Sequence, residues 1–103
     1  GIGNDTHVVF YYDGLKTITD ATVGFWILEY LGHDKVQVLN GGIEAWRNSG
    51  NRLDKKPTRK PARTFKAHVK KSRLAATNEI YDIATGKKRG VQLIDSRTKK
   101  EYV

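Results

Sequence analysis

Apolar and polar residues fall in blocks along this chain, and the blocks predict an order of strands and helices. His7 to Tyr12 (HVVFYY) is β-branched and aromatic with no polar break, the pattern of a strand covered on both faces inside a parallel sheet. Asp13-Gly14 ends it, and a short polar loop runs to Thr19. Val23, Trp26, Ile27, Tyr30 and Leu31 then follow helical i, i+3/i+4 spacing, which predicts a helix over Ala21 to Leu31. Asp20 is its expected N-cap, and Gly32 stands where a left-handed residue would close it. Lys35 to Leu39 (KVQVL) reads as a second strand, Asn40-Gly41-Gly42 as a tight turn, and Ile43 to Asn48 as a short helix carrying Trp46. Strand, helix, strand and helix with such short connections describe a right-handed βαβ crossover with one further covering helix.

The pattern then lapses. Asn51 to Arg63 holds both prolines, Pro57 and Pro61, with only Leu53 and Ala62 as apolar residues, which predicts a linker. Phe65 to Val69 alternates and suits an edge strand. Thr77 is placed to cap a helix over Asn78 to Ala84 that ends at Gly86. Val91 to Asp95 (VQLID) is another buried-type strand, and Thr98 to Tyr102 begins a helix. Two α/β segments therefore flank a linker. Neither holds enough strands for an independently stable sheet, because two-stranded units are marginal in water.

Charge changes this picture in one place. The chain of 103 residues carries a formal net charge of +8. Ten basic residues lie between Arg52 and Arg73, with Asp54 as the lone acid among them. The structural alternative of a solvated connector is preferred over a polyanion patch, since Phe65 is the one aromatic there and single-strand binders offer several stacking rings. Nucleic acid is accordingly not an expected partner.

Composition closes several classes of chemistry. The absence of Cys excludes disulfides, thiolate metal sites and cysteine catalysis within this span. His7, His33 and His68 lack ligand-like spacing, so no metal is expected, nor is a cofactor. His33 is placed to interact with the dipole of the preceding helix. No apolar run is long enough to span a bilayer, and Gly1 to Thr6 lacks a secretory pattern; compartment stays open.

Three stretches together resemble the rhodanese family of sulfurtransferases: HVVFYYD at His7 to Asp13, the run LEYLGHDKVQVLNGGIEAW ending at Trp46, and VQLIDSRTKKEYV from Val91 to Val103. The first two are similar to the end of a rhodanese domain and the third to its beginning. Their order implies the junction of a tandem, two-domain thiosulfate or 3-mercaptopyruvate sulfurtransferase. The implied fold is a rhodanese-like parallel α/β sheet flanked by helices, present as the C-terminal half of one domain and the N-terminal half of a second. Residues 1–51 would be the first, inactive-type domain, 52–64 the basic linker and 65–103 the second domain. Permutation is tolerated in domains with neighbouring termini, so the halves could also complete one another in a shared sheet.

In this family a cysteine follows the strand similar to His7–Tyr11. Tyr12 takes that position here, or Asp13 with a one-residue shift, and neither accepts a sulfane sulfur. The resemblance therefore implies that this chain alone is inactive and that the persulfide-forming cysteine lies outside it. It also implies that Arg97, in the Asp-x-Arg turn, binds the anionic sulfur donor, with Asp95 holding the turn. The structural alternative for Arg97 is an ion pair with Asp95 or Glu101. The implied partners are a small anionic sulfur donor and a thiophilic acceptor, with no membrane. A non-catalytic rhodanese-like binding or scaffold module is the alternative reading.

Overall fold

A computed structural model describes residues 1–103 as two compact units, Gly1–Arg73 and Leu74–Val103. The first is built on strand β1 (Val8–Phe10), helix α1 (Ile18–Tyr30), strand β2 (Val36–Val38) and helix α2 (Gly42–Asn48). β1 and β2 pair in parallel with Val8 opposite Val36, Val9 opposite Gln37 and Phe10 opposite Val38. That register sets Val8, Phe10, Val36 and Val38 on one face of the sheet, because alternate side chains share a face. α1 covers this face, and close packing requires its Gly24: a Cβ there would stand 2.6 Å from the Phe10 ring. Ala21 and Val36 are the buried apolar residues of this small core.

The expectation of a strand covered on both faces is corrected here. Val9 remains 49% exposed, and Gln37 shares its open face. An all-apolar strand needs cover on two sides, and this unit supplies one layer of helix. The same shortage shows on α1, where Val23, Trp26 and Ile27 stay partly exposed on the side away from the sheet. No helix is long and apolar enough to cross a membrane.

Helix ends explain themselves locally. α1 begins a turn earlier than the Asp20 cap predicted, after a short 3-10 turn at Leu15–Thr17. The Thr17 hydroxyl is engaged with the Asp13 backbone and leaves the α1 amides uncapped, while Asp20 sits in the first turn, where a carboxylate suits the helix dipole. At the other end Gly32 adopts φ 84°, its amide donates to the Glu29 carbonyl, and the His33 amide donates to Leu28. These are the paired bonds of a Schellman termination, as the Gly32 position predicted.

The second unit contains α3 (Thr77–Ala84) and α4 (Lys99–Tyr102) and no strand. Val91–Asp95 pairs with nothing, which corrects the expected strand. Backbone ladders need a neighbour, and this segment has none. The sheet consists of β1 and β2 alone, so the two halves do not complete one another in a common sheet. Phe65–Val69 is likewise not a strand: it lies in the first unit, where His68 and Lys70 donate backbone bonds to Leu31 and Tyr30.

Candidate functional site

Two places bear on chemistry, one in each unit. In the first, the backbone leaving β1 reaches Tyr12, whose carbonyl accepts the Ile43 amide at 2.9 Å. The Tyr12 hydroxyl accepts the Gly41 amide at 3.2 Å. The turn it meets is closed by the Gly42 amide bonding to Leu39, with Gly41 at φ 78°, ψ 0°, the third position of a type II turn that only a glycine fills without strain. Gly42 is left-handed too, and a Cβ on it would stand 2.9 and 3.0 Å from Tyr12 ring carbons. Tyr12 is therefore packed as a lock on the Gly-Gly turn.

The neighbouring loop from Asp13 is closed on itself. Thr17 Oγ1 accepts the Asp13 amide at 2.9 Å and stands 2.9 Å from the Asp13 carbonyl. Asp13 stays exposed at the start of that loop. Neither Tyr12 nor Asp13 offers a thiol, and the chain holds no Cys at all. This site has a turn and a phenol and no soft nucleophile.

In the second unit, Asp95 and Arg97 form one motif. Arg97 Nε donates to both Asp95 carboxylate oxygens at 3.0 Å, and Nη2 donates to Oδ2 at 2.6 Å. The Arg97 amide also donates to Asp95 Oδ1 at 2.9 Å, and Nη1 donates to the Glu101 carbonyl at 3.2 Å. The guanidinium beside it pulls the Asp95 carboxyl down to about 2, and the same bond raises Arg97 further. Thr98 and Glu101 make a reciprocal capping box that starts α4 directly after the turn.

Arg97 is thus ion-paired with Asp95, and it also faces open space. It lines an open cleft of about 870 Å³ with Ile80, Leu93, Ile94, Asp95, Ser96, Lys99 and Tyr102. A guanidinium has five N–H groups. Asp95 and Glu101 take up Nε and one bond from each terminal nitrogen, so each of those nitrogens keeps one N–H for another acceptor. The cleft sets an apolar wall beside two cations, Arg97 and Lys99, and the Asp95 carboxylate that pairs with the first of them.

His33 is a residue whose setting the sequence did not reveal. It follows the end of α1 as expected, yet it is 1% exposed, and its Nε2 lies 2.8 Å from the Thr6 carbonyl. Its ring meets Phe65 edge-on at 5.7 Å. Nothing in the local pattern signals burial, because both contacts come from distant parts of the chain.

A parallel strand–helix–strand unit followed by a Gly-Gly turn and a helix is the architecture of a rhodanese-like domain, and residues 1–49 match the family model described as Rhodanese-like domain. Along its whole length the chain is also similar to proteins named thiosulfate sulfurtransferase. It is 36% identical to Thiosulfate sulfurtransferase of Rattus norvegicus over all of its own length and 34% of that protein. It is 34% identical to Sulfur carrier protein TtuD of Thermus thermophilus, covering 99% of itself and 36% of that protein. A shorter match, 48% identical over 48% of the chain, is to Thiosulfate/3-mercaptopyruvate sulfurtransferase 2 of Arabidopsis thaliana, of which it covers 14%. The chain spans about one third of the length of the full-length matches.

Proposed function

We propose that this chain is part of a sulfurtransferase that moves sulfane sulfur from an anionic donor, thiosulfate or 3-mercaptopyruvate, to a thiophilic acceptor. The observation that carries this is whole-length similarity to thiosulfate sulfurtransferases in a chain without a cysteine. Residues 1–51 serve as the C-terminal half of an inactive-type rhodanese domain, 52–64 as the connector, and 65–103 as the start of a second domain by sequence, of which residues 65–73 pack within the first compact unit. The cysteine lies outside this chain; its thiolate attacks the donor's transferable sulfur, and the donor's bond to that sulfur breaks with its electron pair leaving on sulfite or, from 3-mercaptopyruvate, on the enolate of pyruvate. The acceptor then attacks the outer sulfur of the persulfide and releases the thiolate. Arg97 contributes its free N–H groups to the donor anion, with Asp95 fixing the guanidinium plane.

Two measurements test this reading. The 103-residue chain mixed with thiosulfate and cyanide is expected to form no thiocyanate, and turnover above background would refute the missing-thiol argument. In a parent protein extending past Val103, Arg97→Lys keeps the charge and loses the fork. The expected result is a rise of about tenfold in KM for thiosulfate with kcat nearly unchanged, the mark of lost ground-state binding. An unchanged KM would remove Arg97 from the donor site. A non-catalytic rhodanese-like module is favoured instead if the parent contains no cysteine that labels with a thiol reagent and no transferase activity.

A further inference from the structure

The ten basic residues between Arg52 and Arg73 divide into two classes. Arg52, Lys55, Lys56, Arg59 and Lys60 form no ion pair, and the lone local carboxylate, Asp54, accepts the Lys56 amide at 2.9 Å. From Pro61 onward the chain is engaged almost throughout. Arg63 pairs with Asp5 at 2.7 Å, Lys70 with Asp34, and Arg73 with Glu29 at 3.5 Å. The Asn4 side chain donates to the Lys66 carbonyl at 2.7 Å and accepts its amide at 2.9 Å. Phe65 lies against the buried His33, and the Trp26 indole N–H donates to the Arg73 carbonyl at 2.8 Å.

The backbone bonds show why the segment sits there. The last carbonyls of a helix have no partner within it. At the end of α1 the Leu31 carbonyl accepts the His68 amide at 2.9 Å, and the Tyr30 carbonyl accepts the Lys70 amide at 2.8 Å. The partial negative charge of that helix end also favours the cations brought by Lys70 and Arg73. Gly32 permits the approach, since a Cβ there would overlap the His68 carbonyl. All of this lies beyond residue 49, where the family match stops.

We propose that Pro61–Arg73 is a salt-sensitive clasp docked on an acidic receptor surface at the C-terminal end of α1, with residues 51–60 as the hinge on which it opens. The occupant is this chain's own segment. Charge complementarity selects it: three carboxylates on the receptor meet three cations of the clasp, while the hinge cations meet none. Exposed ion pairs are individually weak and screened by salt, so a clasp held partly by three of them loosens as ionic strength rises.

Limited trypsin digestion of the full chain, with cut sites read by mass spectrometry, tests this. Cleavage follows the population of locally open forms. Lys56 and Lys60 precede proline and are poor trypsin sites, so the hinge is read after Arg52, Lys55 and Arg59. At about 0.02 M salt these cuts are expected roughly tenfold faster than cuts after Arg63, Lys66 and Lys70. At about 1 M salt the gap shrinks severalfold, while cutting after Lys35, which reports unfolding of the whole unit, keeps its rate. A double variant, Asp5→Asn with Asp34→Asn, reproduces the high-salt pattern at low salt. Equal rates in hinge and clasp at low salt overturn the proposal, as does a gap insensitive to both salt and the double variant. Parallel acceleration at Lys35 also overturns it, because the segment then opens only with the unit. Sedimentation at the same concentrations completes the test: a monomer supports an intramolecular clasp, and a dimer whose protection vanishes on dilution overturns it.

Discussion

The two units of this chain start from similar sequence patterns and end in different structures. Both contain an apolar β-branched run followed by a turn and a helix. In Gly1–Arg73 the run at β1 finds β2, is covered by α1, and buries Val36 to 6% exposure. In Leu74–Val103 the run Val91–Asp95 finds no strand, and Ile94 is 83% exposed. The lesson is that a strand pattern states what a segment needs, while the neighbours decide whether it gets it. The second unit is ordered by local devices: the Asp95–Arg97 turn, the Thr98–Glu101 capping box and the Lys88–Glu79 ion pair.

The largest effect that would break this contrast is in the apolar run of each unit. Val36→Ala is expected to destabilise the first unit by about 2 kcal/mol, as for truncation of a buried aliphatic chain. Ile94→Ala is expected to stay within about 0.5 kcal/mol, as for an exposed site. Urea titration of each variant, followed by tryptophan emission for the first unit and by amide exchange for the second, checks both numbers. A comparable loss at Ile94 would mean that the second unit has a core of its own.

A smaller effect concerns the Gly-Gly turn. Tyr12→Phe removes the acceptor of the Gly41 amide and keeps the ring, with an expected cost of about 1 kcal/mol. Gly42→Ala adds a Cβ against that ring at a left-handed position, and is expected to cost at least that much. If Tyr12→Phe proves neutral, the ring packing alone locks the turn.

The smallest effect lies in the second unit's pH response. The Asp95 carboxyl is lowered by Arg97 from its ordinary 3.8 to about 2. A lowered carboxyl contributes stability in full above its unfolded value and loses it as pH falls through the folded one. NMR titration of the Asp95 carboxyl carbon should therefore show a midpoint near 2, with amide protection at Arg97 lost over the same range. Arg97→Gln should return the midpoint toward 3.8.

Much of the local architecture was legible in the residues. The Gly32 termination, the Gly41-Gly42 turn, the helix with Trp46 and the short helix after Thr98 all rest on contacts within a few positions, and each is found where the pattern predicts it. The Asp95–Arg97 pair was legible for the same reason, being two residues apart. The clasp was not: its contacts join residues about sixty apart at Asn4–Lys66 and thirty-six apart at Asp34–Lys70. By pattern its first residues read as linker and Phe65–Val69 as an edge strand, because charges, prolines and alternation say nothing about which distant groups they will meet.

The sequence by itself determined where helices stop, where the chain turns, and that no thiol chemistry occurs within these residues, since each depends on residue type and near neighbours. Only the tertiary structure decided which apolar runs became strands, that His33 is buried, and which half of the basic run is tied down. Pairing, burial and charge compensation are properties of segments brought together in space, and no local pattern specifies its partner.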